Sequence, residues 1–293
     1  MLPLKLKRIS LRSLTSYIDL IKSSKRAILG LGIICFYLIL TILTSFIPYD
    51  ATPDPECILA PPSWKHPLGT NEVGVDVLQS IIHAIPTSLK IGLFCALVIA
   101  SIGTTVGIIA GYFGGVVDEI LSAVTDIMMV LPPLPLMIVL AAILKPSMQN
   151  VIIVISLVTW PGTARLIRAQ TISVKERPFI ERIKIIGAGN LYILRKHILP
   201  NVTSVLFANM ILTTAYAILS ESVLSFFGLG DPTQLSLGTM LFYAFSTGAL
   251  SAGAYWYIIP PGLAISICIL GFTLLGNAMD EILNPRLREH GVV

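Results

Sequence analysis

Charge is scarce in this chain. Only 12% of its residues are Asp, Glu, Lys or Arg, about half of what a soluble domain carries. That scarcity excludes one or two ordinary soluble domains, although 293 residues would be long enough for them. Cysteine is also sparse. Of four, Cys35, Cys95 and Cys268 fall in apolar runs and Cys57 stands alone, so no disulfide framework is expected. There is no G-x-x-x-x-G-K-[ST] phosphate loop, so the chain has no means of its own to use a nucleotide. G-x-S-x-G, H-E-x-x-H and CxxC are missing too, which leaves a membrane enzyme without a nucleophile or metal site. Lys and Arg are absent from residues 225–254.

What remains is apolar: 55% of the chain, gathered in long runs. Ala27–Ile47 is a stretch of 21 uncharged residues, enough to cross a bilayer core of about 30 Å. No small-residue cleavage site follows it, so it reads as a retained span and not a removed signal peptide. Further spans are expected at Pro86–Tyr112, Ile120–Leu144, Asn150–Ile167, Val202–Leu224 and Tyr255–Met279. Gly103, Gly107 and Gly111 recur every four residues, a face that lets another helix approach closely. Leu131-Pro132-Pro133-Leu134-Pro135 must bend or unwind the third span. Trp160-Pro161-Gly162 suggests a bend in the fourth.

The fold class is therefore all-α, a polytopic membrane protein of six helices. Its segments are a basic tail (1–26), a first span with an outer loop (27–84), the main membrane domain (85–280) and a short ending (281–293).

Basic residues fix the orientation. Seven precede the first span, eight lie between Arg165 and Lys196 and two follow Pro285, so 17 of 20 share one face. That face is expected to be cytoplasmic, with both termini. Net charge is only +4, and its clustering beside apolar runs speaks for lipid and not nucleic acid. In the outer loop His66, His83, Asp50, Asp54, Glu56, Glu72 and Asp76 lack any recognisable metal-ligand spacing, which favours a solvated loop.

Two acidic residues stand inside or at the end of spans. An intramembrane carboxylate is a functional candidate by default. Asp126 has a pathway or gate role to weigh against helix-end solvation or a bond to a neighbouring helix. Glu221 has a gate role to weigh against a carboxylate snorkelling at the interface.

The polar stretch from Arg177 to Asn201 lies between two spans, inside a loop of 173–201. Ile180, Ile183 and Ile186, then Leu191 and Leu194, are helically spaced, with Pro178 suited to a helix start, Gly187-Ala188-Gly189 to a break and Pro200 to the next start. From pattern alone it is either a docking element or an amphipathic linker on lipid.

Glu181, Gly187 six residues on, and His197-Ile198-Leu199-Pro200 resemble the "EAA" loop of the inner-membrane permease subunits of ABC importers. Arg182 and Ile183 stand where that family has alanines. His66-Pro67-Leu68-Gly69-Thr70-Asn71 is similar to the "HPLGTD..GRD" stretch of the peptide and nickel branch, with Asn71 and Val75 in place of Asp and Arg. Glu221 to Gly230 resembles "E..LSFLGLG", and Asn284-Pro285-Arg286 the "DPR" ending. The resemblance implies a type-1 importer permease fold and half of a passage for di- or oligopeptides, with nickel as the alternative. It implies a second permease subunit, two ATPase subunits that bind ATP and magnesium, and an extracytoplasmic binding protein. It makes Glu181, Arg182, Ile183, Gly187, His197 and Pro200 the ATPase-coupling residues. The competing class, an ion-coupled secondary transporter, calls for several buried ionisable groups and repeated halves, which this sequence does not display.

Overall fold

The computed structural model describes residues 24–283. The basic tail before Ser24 and the Asn284-Pro285-Arg286-Leu287 ending lie outside them.

Helices dominate because the apolar runs have no other way to satisfy their backbone in lipid. In chain order they are α1 (Lys25–Leu43), α2 (Val77–Phe113), α3 (Gly115–Val130), α4 (Pro133–Ile143), α5 (Met148–Lys175), α6 (Pro178–Ile185), α7 (Asn190–Ile193), α8 (Leu199–Phe226), α9 (Leu237–Ser246) and α10 (Tyr255–Leu283). A wider π-helical turn, Leu194–Ile198, joins α7 to α8. Among the described residues five helical runs are long and apolar enough to cross a membrane, and α3 with α4 makes a sixth span bent by 89°. The bend falls at the expected prolines. Pro161, in contrast, sits inside an unbroken α5, so the expected bend at Trp160-Pro161-Gly162 does not interrupt that helix. Packing on neighbouring helices tolerates such a proline where lipid alone would not.

The glycine face closes α2 onto α5. A Cβ on Gly103 would stand 2.7 Å from Thr163 Cβ, on Gly107 2.6 Å from the Ala164 carbonyl oxygen, and on Gly111 2.8 Å from that of Arg168. Backbone thus meets backbone along about two turns. A second close approach, Gly30 against the α10 backbone around Gly271, seats α1 on α10, and Tyr37 donates to the Ala264 carbonyl at 2.6 Å.

Three apolar clusters stack through the molecule. One joins α1, α2, α8, α9 and α10 around Ile85, Ile218 and Phe272. A second joins α2, α4, α5 and α8 around Ile99, Met137 and Ile155. The third, around Ile180, Ile193 and Ile198, lies under the Arg177–Asn201 stretch. The side holding that stretch is called the basic side below.

On the opposite side, residues 49–76 are folded, where the sequence suggested a solvated loop. Backbone bonds Asp54 N to Val73 O (2.9 Å) and Leu59 N to Asn71 O (3.0 Å) close it on itself. The Asn71 side chain accepts from Val73 N and Val75 N. Asp76 caps α2 by accepting from Gln79 N at 2.8 Å and holds His66 Nδ1 at 3.0 Å. The loop's best-placed acid and histidine are therefore occupied with each other. Trp256, at the start of α10, donates from Nε1 to the Thr70 carbonyl.

Candidate functional site

The polar stretch between α5 and α8 forms two short helices. Pro178 occupies the first turn of α6, Glu181 lies in that turn, and Arg182 and Lys184 lie in the last. Each charge thus faces the favourable end of the helix dipole. Gly187 breaks the stretch with φ +87°, a left-handed conformation that side-chain-bearing residues rarely take. Nothing stands within 4 Å of where its Cβ would be, so conformation and not space demands glycine there. Pro200 lies in the first turn of α8, as its missing N–H allows.

Ile180, Ile193 and Ile198 are fully buried and pin this element to the protein. Tyr112 on α2 donates to Asn190 Oδ1 at 2.9 Å, and Lys184 Nζ sits 5.3 Å over the Tyr112 ring. The opposite face is bare and greasy. Ile185 is 80% and Ile186 82% exposed, with Leu191 and Tyr192 exposed beside them. A hollow of about 430 Å³ opens between the two helices, lined by Ile183, Ile186, Gly187, Ala188, Tyr192 and His197. The His197 ring makes edge contacts with Phe179 and Tyr192, and its buried Nε2 has no hydrogen-bond partner among the described residues. Glu181 and Arg182 are exposed, while Ile183 is half-buried. The six sequence-predicted coupling residues therefore share one element, with an apolar surface of the kind a protein partner covers.

Asp126 and Glu221 part company. Asp126 on α3 accepts from Arg165 Nη2 of α5 at 2.5 Å, with Arg165 57% and Asp126 61% exposed. One rung nearer the basic side, Arg168 grips Asp118 with two bonds, Nε to Oδ1 at 2.5 Å and Nη2 to Oδ2 at 2.6 Å. Ser122 also donates to Asp118 at 3.0 Å. Asp126, Arg165 and Arg168 line a cavity of about 310 Å³ between α2, α3 and α5. Asp126 thus forms a bond to a neighbouring helix while staying open to solvent.

Glu221 does not snorkel. It is 1% exposed, deep among α2, α8 and α9. Ser225 and Ser236 donate to its Oε1, each at 2.8 Å, and Ser88 donates to Oε2 at 3.2 Å. Ser88 also accepts from Leu237 N at 3.2 Å, and Ser236 Oγ accepts from Thr239 N as the cap of α9. One carboxylate thus ties the start of α9 to two long helices. The serines carried no signal in the sequence, and neither did the pairing of Asp118 with Arg168 across 50 residues. Both depend on contacts that the helix packing creates.

Known proteins are similar to this chain in sequence. The family model described as "Binding-protein-dependent transport system inner membrane component" matches residues 103–289. The dipeptide transport system permease protein DppC of Haemophilus influenzae is 36% identical over 277 residues, covering 92% of this chain and 93% of that protein. DppC of Alkalihalophilus pseudofirmus is 34% identical, covering 92% and 88%. The oligopeptide transport system permease protein OppC of Mycobacterium bovis is 34% identical, covering 84% and 85%. The helical spans, the two-helix element between α5 and α8 and this match along most of the sequence make the chain a member of the binding-protein-dependent transport system inner membrane component family.

Proposed function

We propose that this chain is the permease subunit through which an ATP-binding-cassette importer passes di- or oligopeptides across the cytoplasmic membrane. The observation that carries this reading is the two-helix element between α5 and α8. It is anchored from below by buried isoleucines and bare above at Ile185 and Ile186. A lipid-lying linker would turn its apolar face toward the membrane, whereas here the inner apolar face is already filled by protein. The outer face is left for an ATPase subunit. Two such subunits bind ATP and magnesium, a second permease completes the passage, and an extracytoplasmic binding protein delivers substrate. This chain itself hydrolyses nothing. The peptide names of its relatives favour peptide over nickel.

Uptake of a labelled dipeptide into proteoliposomes holding the assembled complex tests the reading, with radioactive nickel in a parallel arm. ATP-dependent dipeptide uptake that vanishes without this chain is expected. Nickel uptake alone would overturn the substrate. Gly187→Val forces a side chain into the left-handed region, at a cost of about 1–3 kcal/mol, and Glu181→Lys reverses the charge at the α6 dipole. Both are expected to leave membrane levels normal, while ATPase co-purification and uptake fall several-fold. Normal values in both variants would sink the coupling assignment.

The basic side is cytoplasmic in this reading, which puts Cys57 outside. A membrane-impermeant maleimide should label Cys57 on intact cells, with Cys57→Ser as control. The hydrogen bond to the Asp54 carboxylate, helped by partial burial, holds this thiol above its ordinary pKa. Labelling should therefore quicken as pH rises, and quicken at fixed pH in Asp54→Asn. Labelling only after lysis would reverse the topology.

A further inference from the structure

On the side opposite the basic one, the end of α1 is tied to the start of α2. The chain leaves α1 through Ile47, Pro48 and Tyr49 and enters the folded loop. Gln79 Nε2 donates to the Pro48 carbonyl at 2.9 Å. The Tyr49 hydroxyl meets Ser80 Oγ at 3.3 Å. The half-buried His83 stacks on the Tyr49 ring, with centroids 4.8 Å apart and planes 29° apart. A carbonyl oxygen stands against each nitrogen of His83: Gln79 O at 2.9 Å from Nδ1, and Ile47 O at 3.0 Å from Nε2. Helix α2 has 37 residues, about 55 Å of rise, against about 30 Å of hydrocarbon. His83 precedes the span expected from Pro86, so it stands outside the hydrocarbon, where water brings protons.

A carbonyl oxygen can only accept, and a neutral imidazole has one N–H and one lone pair. An imidazolium has two N–H groups, so only the charged ring satisfies both contacts. In either neutral tautomer a lone pair faces a carbonyl oxygen at hydrogen-bond distance, and that contact turns repulsive. Gln79 O is also the acceptor of the α2 ladder four residues before His83. Ile47 O has no other donor among the described residues. A cation over the face of a tyrosine ring is favoured too, so Tyr49 adds to the same preference. No carboxylate is paired with His83 among the described residues. On α2, Asp76 lies about two turns before it, engaged by Gln79 N and His66, and Lys90 about two turns beyond. Residues 44–48 carry no titratable side chain. In the loop Asp50 accepts from Thr52 N and Oγ1, and Glu72, with Tyr243 of α9 and Tyr257 of α10, lies in the neighbourhood of Tyr49. Carbonyls and an aromatic face, and not a counter-ion, therefore hold the charge on this ring.

We infer that His83 is a proton-operated latch: its imidazolium fastens the exit of α1 to α2 at Ile47, and loss of the proton loosens the root of the folded loop. Stability supplied by bonds to the charged ring is present at low pH and lost as pH rises. Histidine is the side chain that ordinarily changes charge between about pH 5 and 8, so acidity on that face sets how firmly the loop is held. The latch belongs to α1 and α2 alone and does not depend on what is transported.

Two measurements on the assembled complex in lipid bilayers test it. Solid-state nitrogen-15 NMR of histidine-labelled protein reads the ring, and the signal missing from His83→Gln is that of His83. Two protonated ring nitrogens are expected at about pH 5 and one at about pH 9. A ring that is neutral at the acid end, or whose charge does not change across this range, would overturn the latch. A nitroxide attached at the exposed Ala51 through an incorporated ketone amino acid reads the loop. Its rotational correlation time should shorten about twofold from the acid to the alkaline end. In His83→Gln it should stay short throughout. Gln79→Leu removes only the neighbouring uncharged bond and should keep the pH step. Equal mobility at both ends in the parent protein, or a step that survives in His83→Gln, would refute the latch. The parent's own step is measured with His83 in place, so poor assembly of His83→Gln still leaves the latch open to refutation.

Discussion

Asp126 and Glu221 look alike in the sequence, each a lone carboxylate among apolar residues, yet the fold treats them oppositely. Glu221 is sealed away from solvent and held by three serine hydroxyls, with no cation on it among the described residues. Asp126 is open and held by an arginine. Hydroxyl donors suit a buried joint because they can bond in two directions at once, as Ser88 and Ser236 do by also accepting from Leu237 N and Thr239 N, so the network locks three helices at once. An arginine on an exposed carboxylate locks little, since solvent competes for both partners. The difference separates a structural knot near α9 from an adjustable contact between α3 and α5, with the Asp118–Arg168 grip between these extremes.

The largest effect should come from Glu221→Leu. It leaves the Ser88, Ser225 and Ser236 hydroxyls facing an apolar side chain, at about 1–3 kcal/mol for each buried group left unsatisfied. Loss of the monodisperse peak of a fluorescent fusion in size-exclusion chromatography is expected. Glu221→Gln keeps an acceptor and should retain most of the peak. A stable, monodisperse Glu221→Leu would break the comparison by showing that the knot holds nothing.

Next comes Arg168→Ala. It strands Asp118, which is only 19% exposed, and a charged hydrogen-bonded pair of this kind is worth about 1–3 kcal/mol. Thermal melting of the detergent-purified complex should fall by several degrees, and the exchange Asp118→Arg with Arg168→Asp should recover part of the loss. No recovery would mean that packing around Arg168 matters and the pair does not.

The smallest effect belongs to Asp126→Asn. An exposed pair contributes about 0–1 kcal/mol, so melting should hardly move, and raising salt should mimic the substitution in the parent protein. A melting drop as large as that of Arg168→Ala would erase the distinction between the two rungs.

How far the sequence reaches follows from the range of the interactions. Long apolar runs declare spans because lipid imposes the same demand on every residue of the run. The prolines at 132, 133 and 135 declare the α3–α4 bend, and Gly187 the break after α6, since each acts through its own backbone. Partners such as Ser88, 133 residues from Glu221, leave no local trace. The ten-residue α9 escapes notice for a related reason: it is short, and its start is fixed by Ser236 together with a carboxylate of another helix. Pro161 misleads because the same residue that ends a helix elsewhere is carried through in α5 by packed neighbours.

The glycine seam between α2 and α5 also has a mechanical meaning. Two helices in close backbone contact over about two turns cannot slide past one another without backbone clash, so they tilt together as one beam. One end of that beam is α5, which runs into α6. The other reaches Asp76 at the start of α2, whose 37 residues span about 55 Å. A tilt of about 5° pivoting at the basic side would carry the far end of such a lever sideways by about 5 Å, roughly one helix radius, and the folded loop capping α2 would travel with it.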